Sequence, residues 1–76
     1  MDLTTLTQGQ QGIITGFNGM AASYQRQLYD MGIYIGSEVT VLKILGYGKL
    51  LYLQIDGIYF CIRKSDAKKI TIEKVG

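Results

Sequence analysis

The dipeptide Asp56-Gly57 stands between two apolar-rich runs, Leu50 to Ile55 and Ile58 to Arg63, and constrains the fold more than any other feature. Two residues of this type between strands favour a type I′ hairpin, whose central positions both need positive φ. With that turn Ile55 pairs with Ile58, Leu53 with Phe60 and Leu51 with Ile62, which places six apolar side chains on one face. The opposite face carries Gln54 with Tyr59, Tyr52 with Cys61, and Leu50 with Arg63. A slip of one residue mixes the two sets, so the register is well specified.

A second pattern precedes the hairpin. Met20, Tyr24, Leu28 and Met31 follow the i, i+4, i+8, i+11 spacing of one helical face and predict a helix of about three turns. Gly32 then falls where a left-handed residue ends a helix, with Ile33 as the apolar contact that locks the cap. Gly36-Ser37 reads as a turn, and Glu38 to Leu45 as a strand that stops at Gly46-Tyr47-Gly48. Upstream, Leu3 to Gly9 reads as a leading turn, Gly12 to Phe17 as the first strand and Asn18-Gly19 as a turn. Downstream, Lys64 to Lys69 reads as a short polar turn and Ile70-Thr71-Ile72 as the last strand. The expected architecture is mainly β: about five antiparallel strands in a bent sheet, with one helix inserted after the first. Periodicity leaves a barrel and a sandwich equally open. Strand length and turn spacing favour a barrel over an open sheet, because closure removes exposed edges.

With 76 residues, the chain is expected to form a single domain over 1–76. It contains no apolar run near the roughly 20 residues that span a bilayer as a helix. Asp2 and the early threonines do not resemble a secretory signal, and the lone Cys61 agrees with a reducing compartment. A cytoplasmic location is therefore expected. The net charge of +2 is too small to point to a nucleic-acid partner.

The sequence offers little for catalysis. It has no histidine, and Cys61 falls on the Tyr52 face of the hairpin with nothing to activate it. The carboxylates are scattered, so no paired acid–base site is expected. Gly46-Tyr47-Gly48-Lys49 lacks the pattern and the following helix of a phosphate-binding loop. Arg63, Lys64, Lys68 and Lys69 form the densest basic patch, diluted by Asp66 and Glu73. It reads as a solvated face, or one that approaches acidic protein or phospholipid. The six tyrosines are more informative. Tyr24 shares the apolar stripe, whereas Tyr29, Tyr34 and Tyr47 lie off it, on the helix or in turns, and are candidate contact residues. No cofactor, metal site or enzymatic activity is expected.

The order of these pieces resembles the FeoA family, small partner proteins of bacterial ferrous iron transport. Leu3, Leu6, Gly9, Gly12 and Ile14 are similar to its opening pattern. Arg26, Leu28, Met31, Gly32, Ile33, Gly36, Glu38 and Val39 are similar to its central motif. Gly57, Ile62, Arg63, Ala67, Ile70 and Ile72 are similar to its closing pattern. The resemblance covers nearly the whole chain and implies an SH3-like barrel. It further implies action through FeoB, a large membrane transporter with a G-protein-like cytoplasmic domain. In that setting Tyr29, Tyr34 and Tyr47 would contact the transporter, and Arg26 and the Met31-Gly32 cap would hold the surface in shape. A weak homo-oligomer is compatible with exposed strand edges. Two alternatives belong to other classes: the C-terminal SH3-like module of a metal-dependent regulator, and an RNA-binding small barrel. The compact, aromatic Gly46-Tyr47-Gly48 connection departs from the longer glycine/proline loop of many relatives.

Overall fold

The computed structural model describes residues 1–75. Its strands β1 (Gln11–Phe17), β2 (Glu38–Leu45), β3 (Leu50–Ile55), β4 (Ile58–Arg63) and β5 (Ile70–Val75) form one sheet in the order β4-β3-β2-β1-β5. All four pairings are antiparallel. Helix α1 (Ala22–Asp30) follows β1, and a 3-10 turn at Leu3–Thr5 precedes it. The architecture is the mainly β, SH3-like barrel expected, open along the seam between β4 and β5.

The hairpin of β3 and β4 has the register read from the sequence at all six pairs, from Leu50 with Arg63 to Ile55 with Ile58. Asp56 at φ 49° and Gly57 at φ 83° supply the two positive values of a type I′ turn. Burial along the common face is graded, because β4 is an edge strand. Leu53 and Ile55 are buried, Phe60 is half-buried, and Ile58 is exposed at the end of the strand.

Two bulges bend the sheet, and sequence alternation explains both. Strict alternation after Val39 and Val41 would turn Lys43 toward the core. Leu42 is instead skipped in the pairing with β3, so Lys43 stands opposite Tyr52 and Ile44 opposite Leu51. In β1 the pairing skips Thr15, which sets Phe17 opposite Ile70. Each extra residue changes the phase of its strand and sharpens its bend.

Helix α1 begins later than its apolar spacing predicts. Met20 is buried but lies before the helix, where its carbonyl accepts from Gln25 Nε2 at 3.0 Å. At the other end Gly32 has φ 88°. Ile33 N–H donates to Leu28 O at 2.8 Å and Gly32 N–H to Tyr29 O at 3.0 Å, the paired bonds of a Schellman cap. The cap folds Ile33 back beneath Leu28, and both are 3% exposed. Met31, expected on the buried stripe, is 45% exposed, because Ile33 takes the place beneath the last turn and leaves Met31 at the rim.

The polar turn expected over Lys64 to Lys69 contains a single turn of helix, α2 (Lys64–Ala67). It contributes only Ala67 to the core, so no apolar period marks it in the sequence. The last strand also runs further than Ile72, to Val75. The two edges of the sheet differ. Ile72 N–H donates to Met1 O at 2.7 Å and Asp2 bridges to Thr71, so the chain start covers β5. No comparable segment covers β4 among the described residues.

Candidate functional site

Tyr29, on the last turn of α1, and Tyr34, in the connection to β2, are brought together by the Gly32 cap. Their rings stack at 5.6 Å with 22° between planes. Phe17, at the end of β1, meets the Tyr29 ring edge-on at 6.1 Å and itself packs on the core. Offset stacks and edge contacts of this kind are worth about 1 kcal/mol each beyond their burial. The connection is tied down by polar bonds. Tyr34 N–H donates to Ser37 Oγ at 2.9 Å and Ser37 N–H returns to Tyr34 O at 3.0 Å. Gly36, at φ 95°, donates its N–H to Ile14 O at 2.7 Å and so fixes this turn to β1. The result is a rigid aromatic surface in which Tyr34 is 52% exposed and the neighbouring Ile35 58% exposed.

Tyr47 does not join this surface. It occupies the tip of the β2–β3 connection, while Tyr34 precedes the start of β2, so the eight-residue strand separates them. At about 3.3 Å per residue that is roughly 25 Å, shortened by the bend at Leu42. The three tyrosines therefore define two surfaces.

The remaining motif residues are structural or solvated. Leu28 is buried under the cap. Arg26, expected to hold the surface in shape, lies exposed on the outer face of α1 beside Ala22, Ser23 and Asp30 and makes no salt bridge among the described residues. An exposed mid-helix position facing solvent gives it nothing to brace. Arg63 is exposed and donates from Nε to Asp66 Oδ2 at 3.2 Å across the first turn of α2, the single salt bridge among the described residues. Met31, Tyr24, Leu28, Ile33, Phe60 and Ile62 border a small apolar recess between α1 and the β3–β4 hairpin. Burial and the neighbouring Asp66 carboxylate raise the Tyr24 phenol above its usual range.

Cys61 is an exposed free thiol. No three His, Cys, Asp or Glu side chains converge to hold a metal ion among the described residues. No helix among the described residues is long and apolar enough to cross a membrane. Sequence reasoning did not anticipate Phe17 and Ile35 as part of the aromatic surface. It did carry the signal for a second stack, Tyr52 on Tyr59 at 6.0 Å, since the hairpin register makes them diagonal neighbours.

The fold is an SH3-like barrel that presents a stacked, partly exposed tyrosine pair beside the end of α1. The chain belongs to the FeoA domain family, whose family model matches residues 1–74. That family is associated with ferrous iron transport. Among solved structures, the FeoA protein of Chlorobium tepidum superposes with a TM-score of 0.92 at 24% identity, covering 100% of this chain and 71% of that one. A FeoA of Stenotrophomonas maltophilia, complexed with zinc and described as a candidate activating factor of bacterial ferrous iron transport, gives 0.80 at 24% identity, covering 96% and 89%. A manganese-dependent transcriptional repressor contains the same fold, with a TM-score of 0.88 at 18% identity over 99% of this chain and 36% of the repressor. Comparison with curated protein sequences finds no match.

Proposed function

We propose that this chain is an accessory protein of ferrous iron uptake that docks its Tyr29–Tyr34 surface on the cytoplasmic part of a FeoB-type transporter. The observation that carries this reading is the stacked, partly exposed tyrosine pair on a hydrogen-bonded turn. Such a surface loses little side-chain freedom on binding, which is what makes an aromatic an effective anchor. Iron is the cargo of the transporter in this scheme, and the small protein acts on the carrier. A cytoplasmic location follows from that partner.

The test is capture of the transporter's cytoplasmic domain by Tyr34→Ala, beside thermal denaturation of the same variant. Tyr34 is half solvated, so the fold is expected to survive its truncation. Loss of an anchor aromatic is expected to weaken capture roughly 30-fold, equivalent to about 2 kcal/mol. Unchanged capture by folded Tyr34→Ala would overturn the assignment. Tyr29→Ala also removes the Phe17 contact, so its binding is read against its stability.

A further inference from the structure

The tip of the β2–β3 connection holds a strained aromatic that the fold does not use. Tyr47 stands between Gly46 and Gly48 at φ 57°, a left-handed conformation uncommon for a bulky residue. Its side chain is fully exposed and takes no part in the aromatic pairs described above. Leu45 and Ile44, just before it, are 42% and 43% exposed. The tip thus presents two aliphatics and a tyrosine to solvent.

Cations surround it. Lys64 N–H donates to Lys49 O at 2.8 Å, which pins the start of α2 beside the start of β3. Lys49, Arg63 and Lys64 border one open groove with Gly46, and Lys64 also adjoins Ile44 and Gly48. Lys43 lies two residues before Leu45. Only Arg63 has a carboxylate partner, so Lys43, Lys49 and Lys64 carry unpaired charge among the described residues. Apart from Asp66 on α2, which pairs with Arg63, carboxylates of the sheet collect elsewhere. Glu38 and Asp56 share a groove at the opposite end of β2 and β3, and Glu73 pairs with Ile13 beside Glu38. The modest net charge conceals a molecule polarised along its long hairpin.

We propose that this tip docks on an anionic phospholipid bilayer. Tyrosine settles at headgroup level, aliphatic side chains enter the acyl boundary, and a ring of lysines meets the negative surface. Charge complementarity and the apolar tip select the same occupant. A single-stranded nucleic acid would need successive aromatics along a basic groove, and the tip has one. Lipid docking at this tip is independent of any contact with the transporter. Docked this way, the molecule holds its lipid contact at the end of β2 remote from the Tyr29–Tyr34 surface.

Co-sedimentation with vesicles of phosphatidylcholine containing about 30% phosphatidylglycerol tests the proposal against pure phosphatidylcholine vesicles. Binding is expected to the anionic vesicles alone and to weaken as salt rises. Lys49→Gln and Lys64→Gln are each expected to lower partitioning about fivefold, and Tyr47→Ala about tenfold. Tyr47→Gly is expected to lose binding while melting no lower than the parent, because glycine relieves the strained backbone. Tyr47→Trp is expected to shift its emission to the blue on vesicles and to be quenched by brominated acyl chains. Three results would each overturn the proposal. One is no sedimentation with anionic vesicles at low salt. Another is sedimentation that Tyr47→Ala and Leu45→Ser leave unchanged, which is adsorption by charge alone. The third is absence of vesicle binding together with Tyr47-dependent capture of the transporter's cytoplasmic domain, which makes the tip a protein contact.

Discussion

Replacing Gly32 by alanine isolates the energy of a helix cap from the energy of packing. At φ 88° the residue is in left-handed territory, and a Cβ built there meets nothing within 4 Å. Steric crowding therefore contributes nothing, and the whole effect is conformational. Left-handed backbone costs an L-residue roughly 1–2 kcal/mol. Alanine also restricts the unfolded chain, which offsets about 0.4–1 kcal/mol of that where the native backbone is tolerated. A net loss near 1 kcal/mol is expected, with no change in denaturant slope, because the surface exposed on unfolding is the same. For a domain of this size such a loss lowers Tm by about 4–8 °C. Urea titration followed by far-ultraviolet circular dichroism measures it. Gly32→Asn should recover part of the loss, since asparagine tolerates this conformation better than alanine. If Gly32→Ala is as stable as the parent, the bonds from Ile33 to Leu28 and from Gly32 to Tyr29 do not depend on the left-handed residue, and the reasoning fails.

Gly12→Ala should behave oppositely in origin. Its Cβ would lie 3.1 Å from Glu73 O and 3.2 Å from Ile72 Cδ1, so overpacking of about 1–3 kcal/mol is expected in the same titration. Leu53→Ala, at a side chain 1% exposed, is expected to lose about 2–5 kcal/mol, a large share of the stability of a small domain, and to lower the denaturation midpoint accordingly. Tyr24 binds its proton more tightly in the folded state, chiefly through burial and then through Asp66. Its contribution is intact below the usual tyrosine value of about 10 and is lost as pH rises past the folded value. Denaturation midpoints should therefore fall in strong alkali, and less steeply for Tyr24→Phe. Anaerobic calorimetry with Fe(II) is expected to show no saturable site of micromolar or tighter affinity, since no three donors converge among the described residues. A stoichiometric endpoint would refute that.

The parts of the fold that were legible are those fixed by short-range chemistry. The Asp56-Gly57 turn and the alternation on either side of it determine one register, and β3 and β4 adopt it. Gly32 follows its helix closely enough that the cap could be read from four residues. Met31 could not be placed, because its burial depends on whether Ile33 or Met31 fills the space beneath Leu28, a choice made by the cap in three dimensions. Helix α2 was hidden because one turn needs a single buried residue, Ala67, and one residue has no period. The candidate contact residues were exposed as anticipated, but their grouping was not visible. Tyr29 and Tyr34 are five apart and stack, whereas Tyr47 is sent to the opposite end by a strand whose direction no local pattern reveals.

The bulge at Leu42 makes residue count matter more than residue identity in that stretch of the chain. Substituting Leu42 with another apolar side chain leaves the counting intact, and the tip still emerges with Lys43 facing water. Removing Leu42 by an in-frame deletion takes out the one residue that has no partner on β3, so Lys43 keeps its place opposite Tyr52 and Ile44 its place opposite Leu51. What is lost is curvature, since a strand without its extra residue bends and twists less at that point. The tip would keep its side chains and change the angle at which it presents them. A library of single-residue deletions should accordingly tolerate loss of Leu42 better than loss of Leu53 on the facing strand, where no spare residue absorbs the change.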